Sequence, residues 1–323
     1  MGNCLAKAFG KIPGIALKYV YSRTPPHAQS LAEQVNAVPL DRTDRIFEDP
    51  ALDAVVLCLP TPTRLETVQA GVRANKHIFC EKPLALTETM AQELSRLLSG
   101  YTKTVMVGQV LRFFWEYSRI RDMVRSGQLG RIGTVRLSRC VGFPGSDSWF
   151  ADPSKSGGVI LDLLIHDIDF LLWTFGAVKQ VFAKSLSYTQ QGCIDYVLVN
   201  LEMESGALAH LEGSWAHPVG SFRQSAEVCG SKGLLQYDNL DSKSLEWIRT
   251  AETEHRSLSR ISLPESNDSN DPYLAEVGHF VECVRSGRKP TIPIEDSLKA
   301  CEIAFLAMDS ARDGVPRRID KAL

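Results

Sequence analysis

The sequence predicts a two-part protein of the α/β class: a parallel sheet with crossover helices, followed by an α+β half built on a large, open, mostly antiparallel sheet. Three observations carry this. Between Ile15 and about Val107, short strand-like runs alternate with helical stretches. Those runs are apolar almost throughout, as strands covered on both faces must be. After Gln109 the pattern changes to long alternating polar and apolar stretches separated by turn residues. The 323 residues, 44% hydrophobic and 23% charged, suffice for about two domains. The change of pattern divides them into 1–108 and 109–323.

The chain opens on a helix, "MGNCLAKAFG", a Pro13-Gly14 turn, and a strand, "IALKYVYS", that ends at Ser22-Arg23. "DAVVLCLP", "KHIFCEKP" and "TVMVGQV" are the next strands. Between them "PPHAQSLAEQVNA", "TRLETVQAGVRANK" and "LTETMAQELSRLLSG" carry apolar residues at helical spacing with polar residues opposite. In the second half, "EYSRIRDMVRSGQLG" reads as a helix ended by glycine, and "GGVILDLLIHDIDFLLWTFG" as one helix apolar nearly all round. "DYVLVNLEMESGALAHLEGSW" alternates as an antiparallel sheet does when its second face meets solvent or a partner. "RTAETEHRSLSRISLPESNDSNDP" is polar and turn-rich and reads as a loop excursion or an irregular edge. Two helices joined through proline close the chain.

Composition narrows the partners. A net charge of -2 supplies no basic footprint, which argues against nucleic acid. No apolar run approaches the roughly 18 residues of a membrane helix, and no charged-then-apolar leader opens the chain, so the expectation is a cytoplasmic protein without a membrane partner. The eight cysteines form no CxxC pair and read as buried, reduced thiols.

Three stretches carry chemistry. "DAVVLCLPTPTRLETV" is a strand whose carboxyl end breaks into Pro60-Thr61-Pro62-Thr63 before a helix, the edge where open α/β sheets bind ligands. "FCEKPLAL" delivers Glu81 and Lys82 to the same edge, with Pro83 restricting Lys82 to extended conformations. An ammonium held there is suited to stabilising a developing alkoxide; the plainer account is a surface ion pair. In "SGGVILDLLIHDIDFLLW", a spacing of 100° per residue puts Asp162, His166, Asp169 and Trp173 on one stripe of an apolar helix. There Asp162 is expected to orient the His166 imidazole as a general acid or base. The same spacing suits a metal, but no second His or Cys cluster completes a coordination shell, so no metal is expected.

Together, "DAVVLCLPTPTRLETVQAGVRANKHIFCEKPLALT", "SGGVILDLLIHDIDFLLWTFG" and "GHFVECVRSGRKPTIPIEDSLKACEIAFLAMDSARDG" resemble the Gfo/Idh/MocA family of NAD(P)-dependent oxidoreductases over essentially the whole chain. The resemblance implies a Rossmann domain, an α+β domain whose open sheet packs against another subunit in a homodimer or homotetramer, and hydride transfer between NAD(P) and a secondary alcohol or ketone of a sugar or cyclic polyol. It puts the catalytic residues at Lys82, Asp162 and His166, with either Lys82 or His166 taking the hydroxyl proton, and matches Pro83 to a proline that follows a cis bond. The cofactor bed it implies consists of Gly2, Asn3, Ser22, Arg23, Thr24, Leu59, Pro60, Thr61, Thr63, Glu81 and Lys82. Many members that resemble this chain are inositol 2-dehydrogenases, and Arg112, Tyr117 and Trp149 lie in segments that look like those lining their substrate pocket, beside Lys82, Asp162 and His166.

Two departures from the family stand out. Where an acidic residue would bind the ribose 2′-hydroxyl of NAD, this chain has Ser22 beside Arg23 and Thr24, which favours NADP(H) over NAD(H). In addition, "MGNCLAKAF" matches only the end of the G-x-G-x-x-G turn, with Gly2 as its third glycine and Asn3 opening the phosphate-facing helix. The first strand, central in the order 3-2-1-4-5-6, is missing, so the sequence reads as N-terminally truncated and two strands are expected to have unpaired edges. The rival functions are a catalytically silent dinucleotide-binding sensor or assembly protein, and a dihydrodiol or ketone reductase on the same scaffold.

Overall fold

The computed structural model of the chain describes residues 1–189, 194–241, 245–250, 258–262 and 271–319. In the first part, helices α1 (Gly2–Gly10), α2 (Pro25–Val35), α3 (Asp44–Glu48), α4 (Arg64–Arg73) and α5 (Glu88–Leu98) alternate with parallel strands β1 (Tyr19–Tyr21), β2 (Val38–Leu40), β3 (Ala54–Leu57), β4 (His77–Glu81) and β5 (Val105–Gly108). The parallel strands form two sheets, β1–β2 and β3–β4–β5. The strand read over "IALKYVYS" is only Tyr19–Tyr21, because Ile15 and Leu17 pack into the core below α1 before the chain straightens.

The second part begins with α6 (Trp115–Arg125), β6 (Ile132–Gly142) and the short helix α7 (Pro153–Ser156). The apolar segment that reads as one helix is divided: a π-helical turn spans Val159–Leu163, and α8 runs Ile165–Phe175. Strands β7 (Val178–Leu186), β8 (Tyr196–Met203), β9 (Leu208–His217), β10 (Phe222–Gly230), β11 (Gly233–Asp238), β12 (Leu245–Thr250), β13 (Leu258–Ser262) and β14 (Arg317–Arg318) join β6 in a nine-stranded sheet ordered β13-β12-β11-β10-β6-β9-β8-β7-β14. Among the described residues of this sheet, only β6 and β9 pair in parallel. Of the polar segment read as a loop excursion or an irregular edge, the described part is edge strand: β13, at one end of the sheet, pairs with β12 from Leu258 to Ser262, while 251–257 and 263–270 lie outside the described residues.

Helices α9 (Pro272–Ser286) and α10 (Ile294–Asp313) bring the end of the chain back to both parts. Against α1, α9 closes a cluster of Leu5, Phe9, Phe79, Met106, Val277 and Phe280, in which the rings of Phe9, Phe79 and Phe280 meet edge to face at 5.6–6.2 Å. Helix α10 lies on β7 and α8 beside the larger core, which runs from Val55 and Leu57 to the strands of the large sheet. The seven described cysteines are free, and Cys4 and Cys229 are exposed rather than buried. No described helix is long and apolar enough to cross a membrane.

Candidate active site

Lys82, at the carboxyl end of β4, reaches the π-helical turn and bridges the two parts of the chain. Its backbone leaves β4 through a cis Lys82–Pro83 bond. Lys82 Nζ donates to the Asp162 carbonyl oxygen at 2.6 Å and to Asp162 Oδ1 at 3.0 Å. Both side chains of this pair are mostly buried, at 14% and 13% exposure, so little solvent screens their attraction. The plainer alternative, a surface ion pair between Glu81 and Lys82, does not form. Glu81 is buried, its Oε2 accepts the backbone N–H of Lys82 at 3.2 Å, and burial pushes its pKa up.

Nor does Asp162 orient His166. The π-helical turn shifts the register between them, and Asp162 is taken by Lys82. His166 is half-buried and its Nδ1 has no partner. Burial, then the positive charges of Lys82 and Arg139, hold its pKa well below the ordinary 6.5, so the imidazole is neutral at physiological pH. Behind it, Arg139 grips Asp167 through two hydrogen bonds of 2.7 and 3.0 Å and reaches Gln224 at 2.9 Å. This fully desolvated ion pair at the start of α8 was not read from the sequence. Its signal was Asp167 itself, a carboxylate inside an apolar helix, which demands a cation.

Two residues assigned to the substrate pocket are structural. Arg112 is buried, donates to Asp169 at 2.6 and 2.8 Å, to Asp296 at 2.9 Å and to the Thr291 carbonyl at 2.9 Å, and lies over the Trp173 ring. Tyr117 has no exposed surface and packs edge-on against Phe170 and Tyr237, so a substrate cannot reach it. Asp169 is therefore the ion-pair partner of Arg112 and Trp173 its aromatic cover, rather than neighbours of His166 in a site. Trp149 is half-buried, stacked on Phe150 at 4.1 Å, on the segment that leads into α7, and α7 packs against the turn Thr61–Thr63.

The residues expected to hold the cofactor lie on α1 and in the turns that follow β1, β3 and β4. Ser22 is half-buried and Arg23 and Thr24 are exposed between β1 and α2, with Ser22 Oγ accepting the Thr24 N–H at 3.2 Å. Leu59, Pro60 and Thr63 are half-buried after β3, and Thr63 Oγ1 donates to the Pro60 carbonyl at 2.9 Å and does not cap α4. Thr61 is fully buried, its hydroxyl without a partner, so its side chain is closed to a ligand. Beside it the unanticipated Arg64 is buried and donates to the Leu57 carbonyl at 3.0 Å, tying α4 to the end of β3. Gly2 starts α1 where an added Cβ would stand 3.8 Å from Cys58, and Asn3 is exposed on its first turn.

Comparison with known proteins bears on the family. Residues 2–109 match the family described as "Oxidoreductase family, NAD-binding Rossmann fold", and residues 117–236 match the "GFO/IDH/MocA C-terminal domain". The chain is 30% identical to myo-inositol 2-dehydrogenase of Thermotoga maritima over 277 residues, 83% of this chain and 80% of that one. The chain belongs to the Gfo/Idh/MocA oxidoreductase family. Within this family it is also 26% identical to the scyllo-inositol 2-dehydrogenase (NAD(+)) of Bacillus subtilis, over 96% of this chain and 90% of that one. In fold it is similar to the crystal structure of a myo-inositol dehydrogenase from Corynebacterium glutamicum, with a TM-score of 0.83 at 24% identity, covering 99% of this chain and 96% of that one.

The residues present fit the dinucleotide that a family of this fold binds. Exposed Arg23 and Thr24 follow β1, the α1 N-terminus opens beside the end of β3, and Lys82 at the end of β4 holds Asp162 of the π-helical turn just ahead of α8, which carries the unpartnered His166.

Proposed function

We propose that this chain is an NAD(P)-dependent dehydrogenase that oxidises a secondary alcohol of an inositol-like cyclic polyol or a related sugar, and reduces the corresponding ketone. The observation that carries the proposal is the Lys82–Asp162 pair standing with a neutral, unpartnered His166 where the two parts of the chain meet. Asp162 holds the ammonium in place through its carbonyl and carboxylate oxygens. Lys82 then stabilises the substrate oxygen as it gains negative charge, and His166, kept neutral by burial and by two neighbouring cations, takes the hydroxyl proton. Bound along the carboxyl edge, the dinucleotide supplies the hydride acceptor. Ser22, Arg23 and Thr24 hold its ribose end, and the half-buried Trp149 borders the substrate.

NADP(H) is proposed as the preferred cofactor. The turn after β1 offers a hydroxyl, an exposed guanidinium and a second hydroxyl but no carboxylate, and Arg23 attracts a 2′-phosphate that an acidic residue would repel. The inositol relative named for NAD(+) is the contrary precedent. We further propose that two or four copies assemble through the large sheet.

Steady-state turnover with inositols, aldoses and cyclic diols tests this reading. Lys82→Met and His166→Asn are each expected to lower kcat by about 10²–10⁴-fold while leaving dinucleotide binding measurable. Because His166 is neutral above its depressed pKa, the acidic limb of the kcat/KM profile for alcohol oxidation should lie below pH 6.5 and vanish in His166→Asn. Arg23→Ala should selectively raise the KM for NADP(H). Unimpaired turnover in both active-site variants refutes the catalytic assignment.

A further inference from the structure

Two buried carboxyls meet where α9 lies against β4. On α9, Val277 and Phe280 enter the apolar cluster below α1, and Phe280 meets Phe79 of β4 edge to face at 5.6 Å. That contact fixes how the helix lies on the strand. Two residues further along β4, on the same face as Phe79, stands Glu81; one helical turn back from Phe280, on the same face of α9, stands Glu276. Glu81 is 7% exposed and Glu276 has no exposed surface. The charge of Glu81 reaches Glu276, and both reach Cys4 on α1.

The two carboxyls are supported unequally. Glu81 Oε2 accepts the Lys82 N–H at 3.2 Å, and Oε1 lies over Gly108 of β5, where an added Cβ would stand 3.3 Å from it. The positive charges of Lys82 and then Arg64 offset the Glu81 anion. Glu276 has no such support: neither oxygen has a partner, and burial, then the charges of Glu81 and Asp169, hold its carboxyl well above the ordinary 4.5. The other titratable groups around the pair preserve this division. Asp169 is bound to Arg112, and the Lys82 side chain to Asp162. Burial raises the Cys4 thiol and pushes the half-buried Tyr273 phenol up to about 12, so both are neutral at neutral pH, while the Met1 amino group favours the Glu81 anion. Two carboxylates in one desolvated space repel, so one proton between them is the stable arrangement.

We propose that Glu81 and Glu276 share a single proton, held on Glu276, and that Glu276 is a positioning residue: by staying neutral it keeps the Glu81 carboxylate set against Gly108 and the Lys82 N–H, and so keeps the Lys82 side chain turned toward Asp162. Ionising Glu276 places a second negative charge beside Glu81 and drives that carboxylate off both contacts. The role toward Lys82 in catalysis rests on the dehydrogenase reading; the shared proton does not.

Infrared spectroscopy of the whole chain at neutral pH tests the proton directly. The parent is expected to show the stretch of a protonated, buried carboxyl, and Glu276→Gln, whose amide can still donate, should lose that intensity. Unchanged intensity in Glu276→Gln, or none in the parent, overturns the shared proton. The second arm follows acetylation of Lys82 by acetic anhydride, read by mass spectrometry as pH is raised. A lysine released from Asp162 reacts from an opened state, so acetylation should accelerate at least about threefold more in the parent than in Glu276→Gln, in which Lys82's own titration is the same. Identical pH curves in the two chains overturn the positioning role. With a turned-over alcohol, kcat of the parent should fall at least about tenfold on the alkaline side and that of Glu276→Gln should not; an equal alkaline fall in both also overturns it. If no alcohol is turned over, the dehydrogenase reading fails while the infrared and acetylation arms still decide the shared proton and the placement of Lys82.

Discussion

Glu276, on α9, is fully buried and neither of its carboxylate oxygens has a partner. Burial, then the nearby charges of Glu81 and Asp169, push its pKa well above the ordinary 4.5. The folded state thus keeps a proton that the unfolded chain releases. Its contribution to stability is complete below about pH 4.5 and is lost as pH rises through the folded value. Glu276→Gln preserves shape and cannot ionise, so calorimetry should show its Tm advantage over the parent chain growing as pH rises above the ordinary carboxyl value of about 4.5. A gap that stays constant as pH rises contradicts the assignment. Periodicity made the acids of the apolar helix visible in the sequence, but not their partners: Arg139 lies 28 positions from Asp167 and Arg112 lies 57 from Asp169. Such pairings are decided by tertiary packing, and for that reason Arg112 was legible as a charged residue and not as the mate of Asp169.

Among elements, the π-helical turn Val159–Leu163 positions Asp162, and β9 is its floor. A Cβ added at Gly213 would lie 2.8 Å from Leu164 Cγ and 2.9 Å from Val159 Cγ1, so the turn rests on a strand whose side chain is missing at that point. Gly213→Ala should push the turn away from β9 and cost about 1–3 kcal/mol, the usual penalty of overpacking. Because Asp162 would move with the turn while Arg23 would not, kcat should fall more than the affinity for dinucleotide changes; kinetics with a parallel denaturant titration separates the two effects. The lysine motif and the Asp-His helix were legible because each is local in sequence. The register shift between Asp162 and His166 was not, since a constant 100° step cannot anticipate a π-helical turn. Strands β1 and β2, three residues each, were too short for periodicity to bound: one was read too long and the other passed unseen.

At the scale of the molecule, the nine-stranded sheet has helices on one face only among the described residues. Val197, Val199 and Leu201 of β8 are buried beneath those helices, while between them Leu198 is 41% exposed on the far face. That face mixes apolar and charged groups: near Leu198 stand His210 and Glu212 of β9, and farther across the sheet Arg136 pairs with Glu227 at 2.8 Å and Arg223 with Asp238 at 2.7 Å. A surface bearing both signs around an apolar centre is complementary to a second copy of itself turned by a two-fold axis. The alternation in the sequence announced a second face for this sheet but could not say which strands lie side by side on it, because β6 and β9 meet in parallel across more than sixty intervening residues. If two copies pack there, Leu198→Lys places a long cation at the centre of the contact and should leave a folded monomer. Light scattering should then report half or a quarter of the parent mass, with unchanged far-ultraviolet circular dichroism, and the same shift should not follow Lys7→Glu on exposed α1. An assembly that keeps its mass in Leu198→Lys would place the subunit contact elsewhere and leave this face to solvent.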